Sequence, residues 1–180
     1  MQIVGDERLM EGLGDLIRNV PDYPKPGIVF KDITPLLKDP QAFSRVVQAI
    51  ADRYRDQQID YVLGIESRGF IFGAAVATAL SAGFIPVRKP GKLPHDTHRC
   101  EYALEYGTDA LEIHQDAVEA GKRVLIVDDV LATGGTAAAA VELVRCTGGE
   151  VAGLAFLMEL GFLKGREKLP GLDVTSLLTY

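Results

Sequence analysis

Residues 124–136 read VLIVDDVLATGGT. Four consecutive apolar residues predict a strand buried on both faces, as in a parallel sheet. The strand runs into two adjacent carboxylates, Asp128 and Asp129, and Thr133-Gly134-Gly135-Thr136 follows after a short gap. Like charges side by side repel, so a strand that ends on them implies something nearby that uses them. The glycine-rich turn leads into TAAAAVELVRC, a helix-forming run, and the whole stretch is a strand–turn–helix unit.

Outward from this unit the same alternation continues. YVLGI (61–65), FIPVR (84–88), VAGLAFLM (151–158) and DVTSLLTY (173–180) read as strands, and FIFGAAVATALS (70–81) reads as a helix. Apolar strands alternating with helices predict an α/β fold: a mainly parallel, twisted sheet with helices on both faces. Upstream, Leu9, Leu13, Leu16 and Ile17 have helical spacing, and that segment should end before PDYPKPG. GIVFKDI follows as a short extended piece. Asp39-Pro40 then starts a helix, with aspartate as N-cap and proline at the first helical position; its apolar face is Phe43, Val46, Val47, Ile50 and Tyr54. The rhythm lapses after Arg88. Within that insertion YALEYGTDALEIH predicts a hairpin turning at Gly107-Thr108-Asp109. An insertion of this length beside a parallel sheet is suited to a lid.

A chain of 180 residues fits one domain with a full core, and 47% apolar with 24% charged residues is ordinary globular composition. The net charge of −6 argues against general binding of nucleic acid or anionic membrane. Cys100 and Cys146 stand far apart in no metal-ligand spacing and read as free thiols of a reducing compartment. MQIVGDERLMEG has charges where a signal peptide needs an apolar run, so a cytoplasmic location is expected. The uncharged stretch from Gly69 to Val87 is rich in small residues and is broken by Gly83 and Pro86. It fits a buried helix running into a buried strand better than a membrane span.

Ligands of open parallel sheets bind at the carboxyl ends of the strands. Three such ends are chemically unusual: Glu66-Ser67-Arg68-Gly69, Arg88-Lys89-Pro90-Gly91-Lys92, and the opening stretch. Thr133 to Thr136 would aim backbone N–H groups, a helix dipole and two hydroxyls at one point, which suits a phosphate. No Gly-Lys-Ser/Thr follows, so this is not a Walker A loop. Asp128 and Asp129 lie about one sugar's length away, and carboxylates accept well from a vicinal diol. A phosphorylated ribose satisfies every part.

VLIVDDVLATGGT resembles the phosphoribosyl-pyrophosphate motif of the type I phosphoribosyltransferases. PGIVFKDITPLL, GIESRGFIFG, VRKPGKLP, LEYG and LKGREKLP, in this order and spacing, resemble the adenine-using branch of that family over nearly the whole chain. The resemblance implies conversion of adenine and phosphoribosyl pyrophosphate to AMP and pyrophosphate. It implies a single domain over 1–180, with 1–35 as a base-binding hood and about 89–114 as the lid. By the same resemblance Ala132, Thr133, Gly134, Gly135 and Thr136 take the 5′-phosphate, and Asp128 and Asp129 the ribose. Arg68, Arg88 and Lys92 hold the pyrophosphate, Arg68 and Lys92 acting in catalysis, with Mg2+ carried mainly by substrate oxygens and water and no protein ligand assigned to it. Ser67 follows a peptide that in this family is often cis. Val29 and Lys31 offer backbone groups to the base, and Phe30 stacks on it. Lys31 stands where the animal enzymes have arginine, which a main-chain contact tolerates and a side-chain role does not. Glu105 matches a lid carboxylate placed near N7 of the base, and Tyr106 a tyrosine that closes over the site. The family is usually homodimeric.

His95, His98 and Cys100 read as an exposed polar loop, Cys146 as a small apolar helix residue, and LKGREKL (163–169) as a solvated helical turn. Two other functions compete: transfer to a 6-oxopurine, and a non-catalytic regulator that senses phosphoribosyl pyrophosphate. A regulator usually carries a DNA-binding domain, and no segment here is basic enough for one.

Overall fold

The computed structural model describes residues 11–104 and 107–180. The chain divides into two compact units, Met1–Ala49 and Ile50–Tyr180.

In the first unit Leu13 and Ile17 are buried around a single 3-10 turn, Gly14–Leu16. The chain then becomes extended as β1 (Arg18–Pro21), which pairs antiparallel with β2 (Val29–Asp32). The apolar spacing that predicts a helix here thus runs into a strand; Leu9 lies outside the described residues. α1 (Thr34–Lys38) and α2 (Pro40–Tyr54) follow. The predicted N-cap is present: Asp39 Oδ1 accepts from the N–H groups of Gln41 and Ala42, each at 2.9 Å. That satisfies two donors the helix cannot pair internally.

The second unit contains a five-stranded sheet in the order β4-β3-β7-β8-β9. Its strands are β3 (Tyr61–Ile65), β4 (Gly83–Val87), β7 (Arg123–Leu131), β8 (Glu150–Glu159) and β9 (Val174–Thr179), every neighbouring pair parallel. α3 (Gly69–Leu80) connects β3 to β4, and α4 (Gly135–Cys146) connects β7 to β8. Leu63, Ile65, Ile126, Leu154 and Phe156 are fully buried in its core with Ala140 and Leu143 of α4. Burying strands on both faces explains their continuous apolar runs. No helix among the described residues is long and apolar enough to cross a membrane. At the end of α2, Tyr54 is fully buried; its hydroxyl donates to Leu154 O and accepts from the Thr175 hydroxyl, both at 3.2 Å. Burial pushes the phenol up to about 12.

The insertion forms an antiparallel hairpin, β5 (Thr97–Leu104) with β6 (Gly107–His114). Leu104 pairs with Gly107. Gly107, Thr108 and Asp109 therefore belong to the second strand and not to the turn. Turn-forming composition loses to strand register there, because Leu111 and Ile113 must face the core, where both are fully buried. LKGREKL is helical as expected, with Lys164, Arg166, Glu167 and Lys168 exposed. It spans parts of two 3-10 turns, Gly161–Leu163 and Gly165–Lys168; Gly165, and Leu169 just after the second turn, are buried. Arg166, although exposed, bonds Glu159 at 2.7 Å and Val174 O at 2.7 Å, joining β8 to β9.

Candidate active site

β3 and β7 are neighbours, yet the chain leaves them in opposite directions, through α3 to β4 and through α4 to β8. The crevice at their carboxyl ends is the topological switch point, where open parallel sheets bind ligands. A cavity of about 210 Å³ lies there, walled by Ser67 and Arg68 from β3's end and by Asp128, Asp129, Thr133, Gly134 and Thr136 from β7's.

The helix-opening loop is shaped by close backbone approach. Gly134 has φ +79°, and a Cβ on it would lie 2.3 Å from Gly165 O. A Cβ on Gly165 would in turn lie 2.3 Å from Ala132 O. Only glycine fits at either position. α4 makes its first internal bond from Ala138 N to Gly134 O, 2.9 Å, so the N–H groups of residues 135–137 belong to the unpaired first turn of a helix. Thr133 and Thr136 wall the cavity beside them, where the sequence leads one to expect an anion site.

The two aspartates differ. Asp129 is 4% exposed and accepts from Arg68 Nε. Asp128 accepts from the Asp129 N–H at 2.9 Å. Its pKa is raised well above the ordinary carboxylate value, first by burial and then by the charge of Asp129 beside it. The peptide between Glu66 and Ser67 is cis, as is Tyr23–Pro24.

Arg88 and Lys92 do not wall the cavity; they meet on Glu66, a residue that motif reading left without a role. Glu66 accepts from Lys92 Nζ, from Arg88 Nε at 3.3 Å and from the Lys89 N–H at 3.0 Å. Burial opposes its charge, but these donors outweigh it and hold its carboxyl below the usual range. Lys89, also missed, does wall the cavity, together with Tyr102 of β5. Contacts of this kind join residues from distant elements, and no spacing in the sequence signals them. Gly165 had a usable signal, a glycine inside a charged run.

Val29, Phe30 and Lys31 lie on β2 of the first unit. Phe30 packs edge-on against Tyr23, with ring centroids 5.3 Å apart, and Lys31 Nζ donates to Asn19 Oδ1 at 2.8 Å. Glu105 and Tyr106 lie outside the described residues. His95 meets His114 edge-on, with centroids 6.1 Å apart. Among the described residues no three His, Cys, Asp or Glu side chains cluster to hold a metal ion. The carboxylates at the cavity are those of Asp128, Asp129 and Glu66, the last two already facing cations.

Residues 32–171 match the family model for the phosphoribosyl transferase domain. The adenine phosphoribosyltransferase of Acidobacterium capsulatum is 63% identical, the match covering 94% of each chain. The crystal structure of adenine phosphoribosyltransferase from Thermoanaerobacter pseudethanolicus superposes with a TM-score of 0.92 at 53% identity, covering 95% of this chain and 99% of that one. The Saccharomyces cerevisiae enzyme, solved with an imino-altritol bisphosphate and adenine, gives a TM-score of 0.91 at 43% identity, covering 96% and 99%. The open first turn of a helix, paired carboxylates beside it and this likeness over nearly the full length lead to one conclusion: the chain belongs to the phosphoribosyl transferase family, among the adenine phosphoribosyltransferases.

Proposed function

We propose that the chain transfers the phosphoribosyl group of phosphoribosyl pyrophosphate to N9 of adenine, giving AMP and pyrophosphate. One observation carries the reading: an anion cradle, a carboxylate pair and a cationic strand end line a single cavity at the sheet's switch point. The 5′-phosphate binds the backbone from Ala132 to Thr136, with Gly134 and Gly135 allowing close approach and the Thr133 and Thr136 hydroxyls adding donors. Asp128 and Asp129 accept from the ribose hydroxyls. Ser67, Arg68, Arg88 and Lys92 take the pyrophosphate. As the C1–O bond breaks, positive charge develops on the ribose and negative charge on the leaving group, so cations fixed beforehand stabilise the transition state.

Before substrate arrives these cations rest on carboxylates, Arg68 on Asp129 and Lys92 on Glu66. Binding is then an exchange of one anionic partner for another, and little charge is desolvated without compensation. Asp128 and Asp129 are hard oxygen donors suited to magnesium that keeps most of its ligands as substrate oxygens and water. Bound there, the ion supplies neutralisation of the pyrophosphate charge.

The β2 segment acts as the base-binding hood. Val29 lies opposite Pro21, which has no N–H to donate, so its carbonyl gets no bond from its cross-strand partner. That carbonyl suits the exocyclic amine of adenine, which hypoxanthine and guanine lack at this position. Lys31 Nζ is engaged by Asn19, which favours a main-chain role for Lys31. Phe30 stacks on the base, Glu105 handles the proton near N7, and Tyr106 closes the 89–114 lid. The enzyme works in the cytoplasm as a homodimer. The test is incubation with phosphoribosyl pyrophosphate, magnesium and one base at a time. AMP from adenine supports the reading, and nucleotide formed from hypoxanthine or guanine instead would overturn the choice of base.

A further inference from the structure

Lys89 follows β4 and carries a side chain that leaves the strand end for the hairpin. Its ammonium donates to Asp109 Oδ2 and, at 3.1 Å, to the Tyr102 hydroxyl, and it lies 5.7 Å from the centroid of the Tyr102 ring. Tyr102 in turn donates to Asp109 Oδ2 at 3.3 Å. Tyr102 and Asp109 are cross-strand partners in the β5–β6 register, so one rung of the hairpin forms the seat. The other oxygen of Asp109 accepts from the Ala110 N–H at 2.8 Å, which keeps the carboxylate from rotating away. From the backbone side, Arg88 and Glu112 exchange N–H···O bonds of 3.0 and 2.8 Å, and Gly91 N donates to Glu112 Oε2 at 3.0 Å. Strand β6 therefore grips the cationic loop at two points.

We propose that Asp109 and Tyr102 are positioning residues that fix the Lys89 ammonium in the cavity as an additional contact for the anionic substrate, so that hairpin placement and anion binding are coupled. The inference rests on the transferase reading above. An ammonium has three donors, and Asp109 and Tyr102 take two, which leaves one for a ligand in a cavity that Lys89 itself walls. A free lysine would lose several rotatable bonds on binding, whereas one already seated loses little. Burial works against its charge, but the bonds from Asp109 and Tyr102 hold its pKa above the ordinary lysine value. Lys89 holds Asp109 below the ordinary carboxylate value, so both partners are ionised at neutral pH.

The experiment is a double-mutant cycle read in two ways: KM for phosphoribosyl pyrophosphate, and Kd for magnesium pyrophosphate by calorimetry. Lys89→Met should raise both on the order of tenfold, the loss of one charge-assisted hydrogen bond, with KM for adenine changed by less than about twofold. Asp109→Asn should raise the same constants by a smaller factor, and Tyr102→Phe by a smaller one still. In the Lys89→Met background, Asp109→Asn should add nothing. Lys89→Gln, which keeps a polar head, should match Lys89→Met and guards against loss of folding in the latter. An unchanged pyrophosphate Kd in both Lys89 variants overturns the proposal, as does an Asp109→Asn effect that persists in full without Lys89. A wild type that binds pyrophosphate but makes no AMP would count against the transferase reading and leave the positioning result readable.

Discussion

Asp128 lies within the last part of β7 with a second carboxylate beside it, an arrangement unfavourable to the unliganded protein. Its folded pKa is raised, so the native state binds its proton more tightly than the unfolded chain does. Its stabilising contribution is complete below the unfolded value of about 3.9 and is lost as pH rises through the folded pKa. Asp128→Asn should therefore raise Tm at neutral pH, by roughly 2–4 °C for each 1 kcal/mol recovered. The gain should shrink as pH falls toward 4, and calorimetry from pH 4 to pH 8 checks it. Asp129→Asn should act differently: it leaves Arg68 beside a neutral partner and should raise KM for phosphoribosyl pyrophosphate on the order of tenfold. Glu105→Gln keeps shape but removes charge, and steady-state kinetics should show kcat falling about 10²-fold with that KM little changed. The place of single residues at the cavity was legible where they sat in a continuous motif, as Asp128, Asp129 and Thr133 do. Glu66 sat inside such a motif and was still missed, because its partners come from another strand's end. Lys89 was missed for the same reason, its partners being on the hairpin.

Among the elements, the loop from Ala132 to Thr136 depends on a segment far along the chain. Gly165 supports it by contact with Ala132 and Gly134, and a methyl group at Gly165 would overlap backbone that cannot swing aside. Gly165→Ala should cost about 1–3 kcal/mol as an overpacked site. It should also weaken binding of AMP, although residue 165 does not line the cavity. Thermal melts and AMP titration on one sample separate the two effects. The regular strands were readable because burial on both faces leaves an unbroken apolar run. β1 was not, since Leu13 and Ile17 are buried by a short turn whose spacing mimics a helix. The hairpin's existence was readable but its turn was not: Gly-Thr-Asp has turn chemistry, and the register is set by Leu111 and Ile113 instead.

At the scale of the molecule, alternation of buried strands and helices was enough to predict the parallel α/β fold, because chain connectivity leaves few ways to cover such a sheet. The strand order, and with it the crevice that gathers three distant loops, is set by pairing between segments far apart in the chain, which no local pattern signals. Light scattering should give a mass of about twice the 19.5 kDa chain, as expected for a homodimer. The proposed transfer depends on how a nucleotide lies in the crevice between β3 and β7. A crystal structure with AMP and magnesium pyrophosphate measures this directly. The 5′-phosphate should accept from the N–H groups of residues 133–136, with the ribose hydroxyls on Asp128 and Asp129 and pyrophosphate beside Ser67 and Arg68. AMP bound elsewhere, with the Thr133–Gly134–Gly135–Thr136 turn empty, would contradict it.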